Sequence, residues 1–147
     1  MIVSLSYLKK RLTLLLVILF VSTLAHADDP ALKTIDLEKD WGIQPVFFRV
    51  TAQGYMMEFR YTVLDPEKAT ILSVNKDLPT LLSGKSQARF KVPYGATVGY
   101  LKSNRKFLKK GKNYIIMFSN DNQHMLPGDK VRIQIGNEVS PFITIDK

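Results

Sequence analysis

Two runs of alternating residues, separated by a short glycine-containing break, constrain this chain more than any other feature. Val46, Phe48 and Val50 alternate with Phe47, Arg49 and Thr51. After Ala52-Gln53-Gly54 the pattern resumes. Tyr55, Met57, Phe59, Tyr61 and Val63 share one face, and Met56, Glu58, Arg60 and Thr62 the other. Successive side chains of a pleated strand point to opposite faces, so a period of two predicts a β-hairpin with one buried face.

The remainder of the chain extends that reading to an all-β domain. Thr80 to Leu82 and Ala88 to Val92 are short strand candidates around Ser83-Gly84-Lys85, closed by Pro93. Tyr94 to Leu101 holds two glycines and no clear period, so it is a loop or a weak strand. Asn113 to Ser119 carries a central apolar run that suits an interior strand. A polar loop, Asn120 to Gly128, ends on the turn signal Leu126-Pro127-Gly128-Asp129. Lys130, Arg132 and Gln134 then alternate with Val131, Ile133 and Ile135, Gly136-Asn137 turns the chain, and Val139 to Ile145 returns it. Asp65-Pro66-Glu67 is a helix-start signal and predicts a single helical turn. About seven short strands with turn signals between them predict a sandwich or barrel over residues 41–147.

Leu108-Lys109-Lys110-Gly111-Lys112-Asn113-Tyr114 places a leucine, a glycine three residues on and a tyrosine three further on, just before a strand. The spacing resembles the tyrosine corner of fibronectin type III and related immunoglobulin-like domains. Lys110 stands where proline is frequent in that pattern. The resemblance implies an immunoglobulin-like sandwich in which the Tyr114 hydroxyl bonds backbone a few residues upstream. Leu108 would cap the core beneath the arch, and Gly111 would take its tight backbone conformation. The whole stretch after residue 27 is also similar to small exported bacterial domains. Neither likeness implies a catalytic residue or a ligand.

The N-terminus predicts export. Lys9, Lys10 and Arg11 precede an apolar run from Leu12 to Leu24, and Ala25-His26-Ala27 offers the small-x-small pattern of a cleavage site. A membrane-spanning helix needs about 20 apolar residues, and this run is shorter. Residues 1–27 are therefore expected to be a cleaved signal peptide. Residues 28–40 would be a polar arm, order would begin at Trp41, and no transmembrane segment would remain after cleavage. The destination is periplasmic or extracellular, a bacterial envelope above all.

The whole chain has a formal charge of +8, and loss of the three signal charges leaves +5. That balance suits an anionic envelope component or an acidic protein partner. Export argues against nucleic acid. The chain has no cysteine, so it must hold together by packing rather than by disulfides.

Catalytic patterns are sparse. His124 is the only histidine beyond the signal, and no Gly-x-Ser-x-Gly, phosphate loop or dinucleotide fingerprint occurs. The expectation is a non-enzyme with no cofactor. Two surfaces remain. Lys102, Arg105, Lys106, Lys109, Lys110 and Lys112 put six charges in eleven residues, a candidate docking patch. The alternative is a copper carrier using His124 and Met125, with Met56, Met57 and Met117 as further thioethers, because soft sulfur suits Cu(I). Trp41, Phe47, Tyr94 and Tyr100 are candidate surface aromatics, and exposed sheet edges offer strand addition.

Overall fold

The computed structural model describes residues 32–74, 76–103 and 107–147. The expected signal segment 1–27, residues 28–31 of the expected arm, Asn75, and Arg105 and Lys106 lie outside the described residues. The chain runs β1 (Lys33–Thr34), β2 (Ile43–Thr51), β3 (Met56–Val63), helix α1 (Pro66–Ser73), β4 (Thr80–Ser83), β5 (Arg89–Lys91), β6 (Tyr94–Gly95), β7 (Gly99–Tyr100), β8 (Asn113–Ser119), β9 (Lys130–Ile135), β10 (Glu138–Val139) and β11 (Ile143–Thr144). Short 3-10 turns occupy Ala52–Gly54 and Asp121–Gln123. The described residues are mostly β-structure with one α-helix, as the alternation requires.

Three strands form one sheet in the order β2-β3-β8, all antiparallel. A second sheet runs β1-β10-β9-β4-β5, with β11 also on β9, and β6 and β7 make a small hairpin. One buried cluster draws on both larger sheets: Phe48, Phe59, Tyr61, Ile116 and Phe118 from the first, Leu81, Ile133 and Ile135 from the second. Aromatic rings line the inner face of the three-stranded sheet. Tyr114, Tyr61, Phe59, Phe48 and Phe118 follow one another at centroid distances of 6.1, 5.6, 5.7 and 6.3 Å. Each ring buries a large apolar area, so this row contributes strongly to the core.

Several expectations are corrected. Val46 alternates with Phe47 in the sequence, yet it is exposed, because a register shift between Pro45 and Phe47 inserts it as an extra residue. That bulge turns both Ile43 and Phe48 inward although they are an odd number of positions apart. Tyr55 precedes β3 and is exposed, whereas Met57, Phe59, Tyr61 and Val63 are fully buried. The strand Asn113–Ser119 is at the end of its sheet, not its interior; β3 is the central strand. The free side of β8 is taken by the segment at Lys102. The Ser103 N–H donates to the Ile115 carbonyl (2.7 Å) and the Met117 N–H to the Leu101 carbonyl (2.8 Å). Order also begins before Trp41. β1 pairs in parallel with β10, and Ile35 and Leu37 are buried.

Helix α1 has two turns rather than one. Asp65 caps it by accepting from the Glu67 and Lys68 N–H groups, and Pro66 lies in its first turn. Ala69 and Leu72 enter the core. Gly42 (φ +62°) makes the approach possible, since a Cβ there would lie 2.7 Å from Asp65 Cβ. No helix among the described residues is long and apolar enough to cross a membrane.

Candidate functional site

The described lysines of the basic run fall in two environments. Lys102 follows the β6–β7 hairpin and pairs with Ile116, whose side chain faces the core. Its side chain is therefore directed inward and is 7% exposed. Nζ donates to the carbonyls of Leu72, Ser73 and Val74, the last turn of α1 and the residue after it. Those carbonyls have no intrahelical partners, and the helix end carries partial negative charge, so an ammonium group satisfies both. Burial lowers the pKa of Lys102 from 10.5. Lys102 is thus placed as a helix cap and does not present its charge to a partner.

Lys109, Lys110 and Lys112 are exposed. The loop that carries them is tied down at four points. The Lys109 N–H donates to the Tyr114 hydroxyl (2.8 Å), the Gly111 N–H to the Val63 carbonyl (2.7 Å), the Val63 N–H to the Lys112 carbonyl (3.0 Å) and the Lys112 N–H to the Lys109 carbonyl (3.2 Å). Tyr114 is buried, Gly111 has φ +75°, and Leu108 packs against the core. Two of these bonds, Lys109 to Tyr114 and Lys112 to Lys109, are local to the arch, and the two to Val63 join it to β3.

The proposed metal donors are separated by burial. Met125 is fully buried in the core, whereas His124 is exposed. Asn120, itself fully buried, seats Met125. Its Nδ2 donates to the carbonyls of Gly54 (2.8 Å) and Met125 (2.9 Å), and its Oδ1 accepts from the Met125 N–H (2.9 Å). Met57 is also fully buried. Among the described residues no three His, Cys, Asp or Glu side chains cluster as metal ligands.

One contact was not visible in the sequence. The Ser86 hydroxyl lies 3.1 Å from His124 Nε2, a serine within reach of a base. Nearby, the Asp129 carboxyl is held below its usual value first by the hydrogen bond from Lys85 (2.6 Å), with burial opposing and the Leu126 N–H adding. Three of the backbone donors around Ser86 are engaged. The Lys85 and Ser86 N–H groups both donate to Ser83 Oγ, and the Ala88 N–H donates to Ser86 Oγ itself. The arrangement folds the Ser83–Ala88 turn and orients the imidazole, which also packs 5.9 Å from the Phe90 ring.

The candidate surface aromatics divide likewise. Trp41 is buried, with its indole N–H on Glu138 (2.8 Å). Tyr94 is exposed and stacks edge-on against half-buried Tyr100. Phe47 is half-buried between two guanidiniums, 4.5 Å from Arg49 and 4.9 Å from Arg60. Both arginines bond Glu58, which is buried although it points away from the core. The outer edge of β2 is partly covered, since the Phe48 N–H and carbonyl both bond Asp146. Strand addition there meets an edge already in use.

No protein-family model, curated protein or solved structure matches this chain.

Proposed function

We propose that the protein is an exported, non-catalytic binding or adaptor domain of the cell envelope, with an immunoglobulin-like sandwich as its scaffold and a lysine loop as its docking surface for an anionic partner. The scaffold reading is supported by one core shared between two sheets and by the Tyr114 hydroxyl accepting from Lys109, the bond the corner spacing implies. The non-catalytic reading is supported by the Ser86–His124 pair, whose imidazole is exposed and whose hydroxyl already accepts from the Ala88 N–H.

The observation that carries the docking reading is the loop at Lys109–Lys112. Three exposed ammonium groups are displayed on an arch whose backbone is pinned to β3 and to Tyr114. A surface already held in place loses little conformational entropy on binding, and clustered positive charge accelerates the approach of an anionic partner. A photo-crosslinking side chain in place of Lys110, in cells that export the protein, tests this. A discrete adduct that disappears with Lys109→Gln and Lys112→Gln is expected. Full export and folding without an adduct would remove the loop as a docking surface.

A further inference from the structure

The outer face of the β2-β3-β8 sheet carries a second surface, built from residues outside the lysine loop. Cross-strand register sets Phe47, Arg60 and Ile115 in one row and Arg49, Glu58 and Met117 in the next. Since Tyr114, Ile116 and Phe118 fill the core, Ile115 and Met117 must face outward. Beside them the β6–β7 hairpin and the segment after it complete a recess of about 250 Å³, lined by Val98, Tyr100, Leu101, Ile115 and Met117, with Lys102 and Ser103 also contributing to its wall. Small-molecule pockets usually run from about 300 Å³ upward, so this recess has the size of a site for one apolar side chain.

Charge defines what accompanies that side chain. Arg49 and Arg60 converge on a single carboxylate, Glu58, leaving one positive charge in excess on these two rows. Glu58 is almost fully buried, while the two arginine side chains are 51% and 38% exposed. Both arginine side chains therefore reach solvent in part, although Arg60 Nε is buried, and the acid that balances half of their charge does not. Phe47, held between them, gives the row an aromatic floor. Polar groups continue the face at one end, where Thr62 Oγ1 donates to Asn113 Oδ1, and Asp121 stands beyond Ser119 at the other.

We propose that this face binds a peptide segment of a partner protein in which an apolar side chain neighbours a carboxylate, the apolar group in the recess over Ile115 and Met117 and the carboxylate against Arg60 and Arg49. A lipid surface fits less well. Attachment to an anionic membrane draws on several basic residues, and the net excess of one charge on these two rows is a small contribution. The free edge of β8 is filled by Leu101–Ser103, so the segment lies across the face rather than extending the sheet. The inference is independent of the lysine loop, which is placed by different residues.

Acetylated, amidated hexapeptides with Leu-Asp at the centre of a Gly/Ser background serve as the probe. They are titrated into the uniformly ¹⁵N-labelled exported protein and followed through backbone amide shifts. Saturable shifts are expected at Arg60, Ile115, Met117 and the β6–β7 hairpin. A Gly-Asp peptide should bind at least about tenfold more weakly, because a leucine side chain is no longer buried. A Leu-Asn peptide should bind roughly threefold to fivefold more weakly, as for the loss of a partly exposed ion pair. Val98→Ser changes an exposed residue at the rim and should weaken Leu-Asp binding with the spectrum otherwise intact, whereas Lys109→Gln should leave it unchanged. Absence of saturable shifts, equal binding of the Leu-Asp and Gly-Asp peptides, or displacement of the peptide by phosphatidylglycerol vesicles would each overturn the proposal. Shifts confined to Lys109–Lys112 would overturn it too, while leaving the lysine loop as the docking surface.

Discussion

Lys102 and Lys109 belong to one basic run, yet the fold uses them in opposite ways. Lys102 is inserted beneath a strand bridge and closes the end of α1, where its charge meets three carbonyls. Lys109 contributes its backbone N–H to Tyr114 and leaves its side chain in solvent. A run of like charge in a sequence is therefore not a surface until the direction of each side chain is known. Burial makes the first lysine a determinant of stability, and exposure makes the second available to a partner.

Substitutions at the two ends should separate these roles, and the largest effect belongs to the buried end. Lys102→Met leaves the last carbonyls of α1 without their donor, and a loss of about 1–3 kcal/mol is expected in urea unfolding. Unchanged stability would mean that Lys102 does not cap the helix. Tyr114→Phe removes the acceptor for the Lys109 N–H and should cost about 1 kcal/mol. It should also speed amide exchange at Lys109 more than at Lys102. Equal exchange at both would show that the arch is held by other contacts.

A pH series sharpens the contrast further. Native Lys102 releases its proton below the ordinary value of 10.5, while the unfolded chain releases it near that value. Between the two pH values the unfolded chain binds more protons, so native stability gains from this group as pH rises. The stability of the wild type relative to Lys102→Met should therefore increase across the alkaline window below 10.5. A parallel pair of curves would contradict the burial. The smallest effect should come from Lys109→Gln with Lys110→Gln, which stays within about 0.5 kcal/mol of the wild type because both side chains are solvated. A larger loss would show that these lysines also have structural partners.

Tyr61 offers a similar contrast within the core. Its hydroxyl is buried without a hydrogen-bond partner among the described residues, and its pKa is raised chiefly by that burial and further by Tyr114. Tyr61→Phe keeps the ring stack and removes the unsatisfied group, so stability should be unchanged or rise. A marked loss in thermal unfolding would reveal a partner for the hydroxyl.

Legibility in the sequence followed the range of the contacts. The inner face of β3 was readable because alternation expresses a period of two, and β9 was readable for the same reason. The Tyr114–Lys109 bond was readable because its partners are five residues apart. The Val46 bulge was not, since the pattern on either side of it looks continuous. β1 falls within the expected arm because two polar residues carry no strand signal. Their pairing is supplied by Glu138 and Val139, more than a hundred positions away. The Ser86–His124 contact joins two loops 38 residues apart, and neither loop marks the other. On the outer sheet face, the alternation places Phe47, Arg49, Glu58 and Arg60 opposite the apolar side of the hairpin and says nothing of what lies beside them. Only β8 and the β6–β7 hairpin turned that side into a recess bordered by charge.

By itself the sequence determined that this is a β-rich domain without disulfides, with a hairpin at 46–63 and an arch at 108–114, because local periodicity and turn chemistry act over a few residues. Tertiary structure decided which charges are buried and which are presented. Lys102 and Leu72 are thirty positions apart, and the burial of an ammonium group depends on whether carbonyl oxygens from elsewhere in the chain arrive to receive it.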